Sequence, residues 1–237
     1  MDHLIQTLWI GARLSTMEQL SIRSFLNHGH EYHLYVYEEV EGVPPGTIIK
    51  DARDILPDNL IFQYGGSGSY AGFSNFFRYR LLLEKGGWWV DTDVVCVRPF
   101  IFDTSHVLAT ERDPRGREFV TSGIIRAPRG SELMQRAWEI CQSKDRQQLR
   151  WGETGPVLMH HLAMRHSFMP FAQAPEVFCP IDPSNWIDAI MPHRIVDFED
   201  HTYGIHLWNE LWRRHGIDKD EIYAPACLYE VMKKQHL

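Results

Sequence analysis

Hydrophobic positions along the chain gather into short clusters whose period changes from element to element. His3 to Gly11 (HLIQTLWIG) is an apolar run that predicts a strand, and Glu31 to Tyr37 (EYHLYVY) predicts a second. Between them Ser15 and Glu18 form a capping box for a helix reaching about Asn27, which Gly29 stops. Strand, helix and strand in so short a stretch open a right-handed βαβ unit and a parallel sheet. Residues 43–72 lose the periodicity. Pro44-Pro45-Gly46, Pro57 and the run Gly65-Gly66-Ser67-Gly68-Ser69 mark a loop. No Lys follows that glycine run and no strand leads into it, so a phosphate-cradling loop is rejected. A mobile loop beside a site is expected instead, with disorder lacking any role as the plainer reading.

The stretch from Ser74 to Asp93 (SNFFRYRLLLEKGGWWVDTD) organises the rest. Ser74 to Lys85 carries neither Pro nor Gly and predicts a helix, capped by Ser74 and ended by the positive φ that Gly86-Gly87 can supply. Trp88-Trp89-Val90 then predicts a short buried strand, with Asp91 and Asp93 at its end. Beyond it, strands are expected at Val94–Val97, His106–Thr110 and Glu118–Arg126, with an Asp113-Pro114-Arg115-Gly116 turn between the last two. Ser131 should cap a helix to about Cys141. Thr154 should cap another to about Arg165, with Pro156 in its first turn. Prolines 170, 175, 180, 183 and 192 break up the C-terminal third, apart from an expected strand at Tyr203–Trp208.

Two carboxylates at i and i+2 on a strand leave the same face and repel unless a cation lies between them. Hard oxygen donors favour Mg²⁺ or Mn²⁺, which hold phosphate oxygens; a solvated acidic turn is the alternative. Arg78 shares a helix face with Ser74 and Asn75, and its planar fork matches phosphate; a salt bridge to Glu84 or to a sheet carboxylate is the competing reading. Trp9 offers a flat face on which a base could stack, or is an ordinary core residue.

The combination S-x-x-x-R on a helix followed by GG-W-x-D-x-D resembles the DXD-containing sugar transferases of the GT-A fold. The resemblance is to the group of initiating α-1,6-mannosyltransferases and α-1,4-galactosyl- and N-acetylglucosaminyltransferases, glycosyltransferase family 32-like, and more distantly to glucosylating bacterial toxins. It covers about residues 70–100 and extends from the N-terminus to about residue 165. It implies a single α/β domain over 1–237, Rossmann-like, with a mostly parallel sheet flanked by helices and a less regular C-terminal part. Residues 1–100 would bind the nucleotide sugar and 101–237 the acceptor. By the same resemblance Trp9, Ile10 and Gly11 lie against the base, Arg78 holds the pyrophosphate or sugar, Asp91 also reaches the ribose, and Asp93 is the more direct metal ligand. Ser122 and Gly123 would lie near the donor sugar with Ser74 and Asn75, and Thr154-Gly155-Pro156 would offer helix N–H groups to substrate. The family has Asp where this chain has Asn75, which leaves the donor sugar open. His206, in an H-x-W pattern, is the expected third metal ligand beside Asp91 and Asp93, its imidazole suiting Mn²⁺ better than Mg²⁺; a core histidine is the alternative.

The implied activity is a metal-dependent, retaining transfer of a hexosyl unit from a nucleotide sugar to a saccharide or lipid-linked saccharide. UDP-sugar is the expected donor, GDP-mannose the second. A bacterial polysaccharide or lipid-linked glycan is the expected product. Readings from other classes are a haloacid-dehalogenase-type phosphatase and a non-catalytic nucleotide- or saccharide-binding module.

Composition narrows this further. A net charge of −7 and a pI near 6.0 argue against a nucleic-acid binder. With 237 residues, 44% of them hydrophobic, the chain is long enough for one large core or for one core with a small annex. No apolar run approaches membrane-spanning length, so a cytoplasmic protein is expected, in peripheral contact with the inner membrane face if Leu207, Trp208, Leu211 and Trp212 beside Arg213 and Arg214 are exposed. Burial of those tryptophans is the competing expectation. Cys96, Cys141, Cys179 and Cys227 are scattered and read as reduced core thiols.

Overall fold

The computed structural model describes residues 4–192, 198 and 200–237, so His3, the expected start of the first strand, lies outside the described residues. Strand β1 (Leu4–Trp9), helix α1 (Thr16–Asn27) and strand β2 (Glu31–Val36) form the expected unit, with β1 and β2 parallel. The capping box is present, the Ser15 N–H donating to Glu18 at 2.8 Å. Within the expected loop the chain adds an edge strand, β3 (Ile48–Asp51), parallel to β2. All four of its residues are at least partly exposed, so no buried pattern announces it.

Helix α2 spans Ala71–Lys85, which corrects the expected start at Ser74. The aromatic core extends the helix by one turn. Phe73 is buried against Tyr37 and Phe62, and Gly72 has no Cβ to meet the Phe62 ring at 2.9 Å. Gly86 and Gly87 turn the chain at φ 68° and 93°. A Cβ on Gly86 would stand 2.4 Å from the Arg129 amide nitrogen, so close packing as well as φ requires glycine there.

Strand β4 (Gly87–Val90) follows, then β5 (Val94–Cys96), β6 (Val107–Arg112) and β7 (Glu118–Ala127). Helices α3 (Glu132–Gln142), α4 (Pro156–Arg165) and α5 (Pro175–Phe178) precede strand β8 (Gly204–His206), helix α6 (Asn209–Arg214) and helix α7 (Leu228–His236). The main sheet runs β3-β2-β1-β4-β7-β6. Its first four strands are parallel, and β7 runs antiparallel to both of its neighbours, β4 and β6. Strands β5 and β8 pair antiparallel as a separate ribbon.

Alternation along β4 sends Trp88 and Trp89 into opposite faces of this sheet. Trp88 joins the layer of α1, α7 and Phe178, while Trp89 joins that of α2, α3 and α4. The sheet is therefore a mostly parallel α/β sheet with helices on both faces, as expected. All four cysteines are buried and free.

The chain passes outward through β1, β2 and β3, then returns to lay β4 on the other side of β1. In such a sheet the crevice outside the carboxyl ends of the two strands flanking that reversal is where ligands bind. Trp9 ends β1, and Asp91 follows directly on β4.

Candidate active site

Asp91 and Asp93 are brought together by a turn, which corrects the picture of alternation along a regular strand. The Asp91 N–H still bonds the Gly123 carbonyl at 2.8 Å, but the chain then leaves the sheet, and the Val94 N–H returns to the Asp91 carbonyl at 3.2 Å. Strand β8, paired to β5 with His206 opposite Val94, carries the imidazole to the same point. One ligand atom from each of Asp91, Asp93 and His206 lies within 4.8 Å of the others. His206 Nε2 is 3.3 Å from Asp93 Oδ2, which also accepts the Asn209 N–H at 2.7 Å. Trp208, in the left-handed region at φ 60°, sets its ring against His206 at a centroid distance of 3.9 Å.

Arg78 is 3% exposed and holds the other side of Asp91. Its Nη2 reaches Asp91 Oδ1 at 3.1 Å and Ser74 Oγ at 3.0 Å, Nη1 donates to the Ser122 carbonyl, and the guanidinium lies 4.8 Å over Trp89. Trp89 Nε1 donates to the same Asp91 oxygen at 2.8 Å. The competing reading of Arg78, an ion pair with a sheet-end carboxylate, is thus present, while Glu84 pairs with Arg80.

Electrostatics separate the two acids. Burial, only partly offset by Arg78 and reinforced by the charge of Asp93, raises the Asp91 carboxyl above its ordinary value. Burial acts in the same direction on Asp93, but His206 and the Asn209 N–H outweigh it and lower its pKa. Burial would lower His206, yet Asp93 overrides that and holds the imidazole well above its ordinary value. The negative charge of Asp93 therefore favours a positive charge on His206.

Two cavities meet at Arg78, Asp91 and Asp93. The larger, about 580 Å³, is lined by Trp9, Ile10, Ser74, Asn209, Arg213 and Lys219 among others. Trp9 Nε1 is buried without a hydrogen-bond partner, and Lys219 Nζ lies 5.8 Å from its ring. Gly11 is not on this wall; it sits behind the Trp9 indole. The smaller cavity, about 260 Å³, is lined by Asn75, Glu111, Thr121, Ser122, His206 and Arg214 among others. Gly123 leaves room where the three ligands converge: a Cβ there would lie 3.1 Å from Asp91 Oδ2 and 3.2 Å from His206 Cε1.

Several expected roles change. Thr154 is fully buried before the N-cap of α4, which is Gly155. The Gly155 and Val157 N–H groups bond the Gly152 carbonyl and Pro156 has none, so this terminus does not present those groups to a ligand. Trp208 and Trp212 are buried, so they form no exposed aromatic patch for a membrane. Among the described residues no helix is long and apolar enough to cross one. The glycine-rich turn does border the larger cavity, through Gly68 and Ser69.

Residues 16–112 match the family described as the glycosyltransferase sugar-binding region containing a DXD motif. That match and the fold support a glycosyltransferase. The glycosyltransferase PaToxG superposes with a TM-score of 0.54 at 14% identity, over 99% of this chain and 86% of the other, which shows the GT-A fold. The apo-form glycosyltransferase GlyE of Streptococcus pneumoniae TIGR4 superposes with a TM-score of 0.47 at 13% identity, over 99% of this chain and 62% of the other. No curated protein matches the chain.

Sequence reasoning missed Glu111, Trp151 and the segment from Asn209 to Lys219. Glu111 lies between Thr110 and Arg112 at the polar end of β6, beyond a register shift, so its sequence setting carried no signal. Trp151 and Lys219 lie outside any regular element and carried none.

Proposed function

We propose that this chain is a metal-dependent, retaining hexosyltransferase that takes a UDP-sugar and delivers the sugar to a saccharide or lipid-linked saccharide acceptor in bacterial glycan synthesis. The observation that carries the reading is the convergence of Asp91, Asp93 and His206 at the junction of two cavities. Two carboxylates and one imidazole suit Mn²⁺, with Mg²⁺ the second choice, and the bare Gly123 leaves the ligand atoms uncrowded. A divalent ion held there would offset the negative charge that grows on the departing diphosphate.

The chain's own residues supply the rest. Trp9 stacks the base in the larger cavity. Arg78 lines both cavities; it holds Asp91 in its ligand position and turns a fixed cation toward the diphosphate. Asn75 and Ser122 bound the smaller cavity as sugar contacts, cross-linked to each other at 3.4 Å. We assign the whole chain to one catalytic domain. Its first hundred residues form the nucleotide side and the remainder the acceptor side, with Asn209 to Lys219 reaching back across the nucleotide cavity. Attack from the leaving-group side, with the phosphate as base, gives retention.

A screen of UDP- and GDP-sugars for Mn²⁺-dependent hydrolysis tests this. Wild type should release the nucleotide from one donor class, and Asp93→Ala should not. Equal rates in the two proteins, or no hydrolysis of any donor, would refute it.

A further inference from the structure

Glu111 is a buried carboxylate that none of the preceding chemistry uses. It is 9% exposed and lines the smaller cavity with Asn75, Thr121, Ser122 and His206. A carboxylate taken out of water is costly unless paired or hydrogen-bonded. Among the described residues no Lys or Arg lies within ion-pair distance of it; the adjacent Arg112 is turned to Glu118, Glu176 and Asp182. Burial raises its pKa, offset only in part by the charge of His206 and by the Thr121 hydroxyl. A carboxylate accepts about four hydrogen bonds, so most of its capacity is open to whatever fills the cavity.

The cavity wall indicates what that is. At about 260 Å³ the space is below the usual range of a drug-sized site and fits one sugar ring, the larger cavity taking the nucleotide. Asn75, Ser122 and Thr121 add short polar groups suited to hydroxyls. Asp91, Asp93 and Glu210 border the same space, but each is paired, with Arg78, His206 and Arg214 respectively, so Glu111 is the carboxylate left to repel an acidic sugar.

We propose that Glu111 determines donor specificity, accepting hydrogen bonds from the hydroxyls of a neutral hexosyl group and disfavouring a hexuronosyl group. This rests on the nucleotide-sugar reading of the larger cavity.

Titration calorimetry with Mn²⁺-loaded wild type, Glu111→Gln and Glu111→Ala separates the two claims, using UDP, UDP-glucose, UDP-galactose and UDP-glucuronate as probes. UDP alone should bind all three proteins equally. Wild type should bind one of the UDP-hexoses about tenfold or more tighter than UDP-glucuronate. Glu111→Ala should weaken that UDP-hexose by about ten- to a hundredfold, the loss of a charge-assisted hydrogen bond. Glu111→Gln should lose less and should narrow the gap to UDP-glucuronate. Unchanged UDP-hexose affinity in Glu111→Ala would overturn the proposal while leaving the nucleotide-sugar reading standing. So would intact donor affinity with hydrolysis abolished, the signature of a nucleophile. Failure of wild type to bind UDP at all would overturn the nucleotide reading and this proposal with it. Thermal melts of the isosteric Glu111→Gln confirm that any loss is local.

Discussion

Gly123→Ala isolates the metal-ligand geometry from the stability of the fold. Gly123 is in β7, outside the set of positive-φ glycines, so alanine is compatible with its backbone. Fewer unfolded conformations would favour the variant by about 0.4–1 kcal/mol. The new methyl would stand 3.1 Å from Asp91 Oδ2 and 3.2 Å from His206 Cε1, both inside the 3.4 Å at which ordinary contact begins. His206 cannot retreat easily, since the Trp208 ring lies 3.9 Å away by centroid and β8 fixes its backbone. Asp91 can yield only by straining Oδ1 away from Trp89 at 2.8 Å and Arg78 at 3.1 Å. The ligands must therefore spread by a few tenths of an ångström, about the whole tolerance of a metal site. Mn²⁺ affinity should fall about ten- to a hundredfold, the range seen when ligand orientation is disturbed. The melting temperature should move by no more than about 4 °C. Calorimetric Mn²⁺ titration and a thermal melt on the same sample read both quantities. Wild-type Mn²⁺ affinity in a folded variant would refute the assignment of these ligands. A loss of more than about 3 kcal/mol in stability would refute the claim that the crowding stays local.

Three further outcomes follow from other parts of the molecule. Trp9→Ala should weaken UDP binding by about 1–3 kcal/mol in calorimetry and leave Mn²⁺ binding intact; unchanged UDP affinity would return Trp9 to a purely packing role. Gly86→Ala should destabilise by at least about 2 kcal/mol in urea unfolding, because φ is 68° and the new Cβ meets the Arg129 nitrogen at 2.4 Å; a neutral result would show that the turn relaxes freely. Asp220 accepts the Thr16 N–H and hydroxyl, both at 2.7 Å, satisfying the start of α1 from across the chain. Its side chain is exposed, so Asp220→Ala should cost only about 0.5 kcal/mol at neutral pH. These hydrogen bonds lower its carboxyl pKa below 3.8 in the folded state, so the contribution is complete above that value and disappears as pH falls through the folded-state pKa. Urea melts that show the same deficit at pH 7 and pH 2 would refute it.

What could be read from the sequence is what lies contiguous in it. The helix, the Gly86-Gly87 stop, the tryptophan strand and the two aspartates are consecutive, and each local preference agrees with the next, so α2, β4 and the position of Asp91 and Asp93 at a strand end were all legible. Local rules failed where tertiary contacts outvoted them. Ser74 has a capping side chain, yet Phe73 packing moved the helix start to Ala71 and left the Ser74 hydroxyl to accept from Arg78 instead. Thr154 lost its capping role to burial beneath Asn75 and Tyr79, whose hydroxyl bonds the Thr154 carbonyl at 2.8 Å. His206 was legible only through family resemblance, because nothing near it in the chain says that β8 will pair with β5 and meet Asp93. Glu111 shows the limit most clearly. On β6 it looks like an ordinary polar position, and its cost as an unpaired buried carboxylate exists only once β7, β8 and the Trp151 loop close the cavity around it. Metal-binding acids declare themselves by spacing, whereas an acid that selects a sugar is defined by the far wall, and no spacing rule can supply a wall built from residues so distant in the chain.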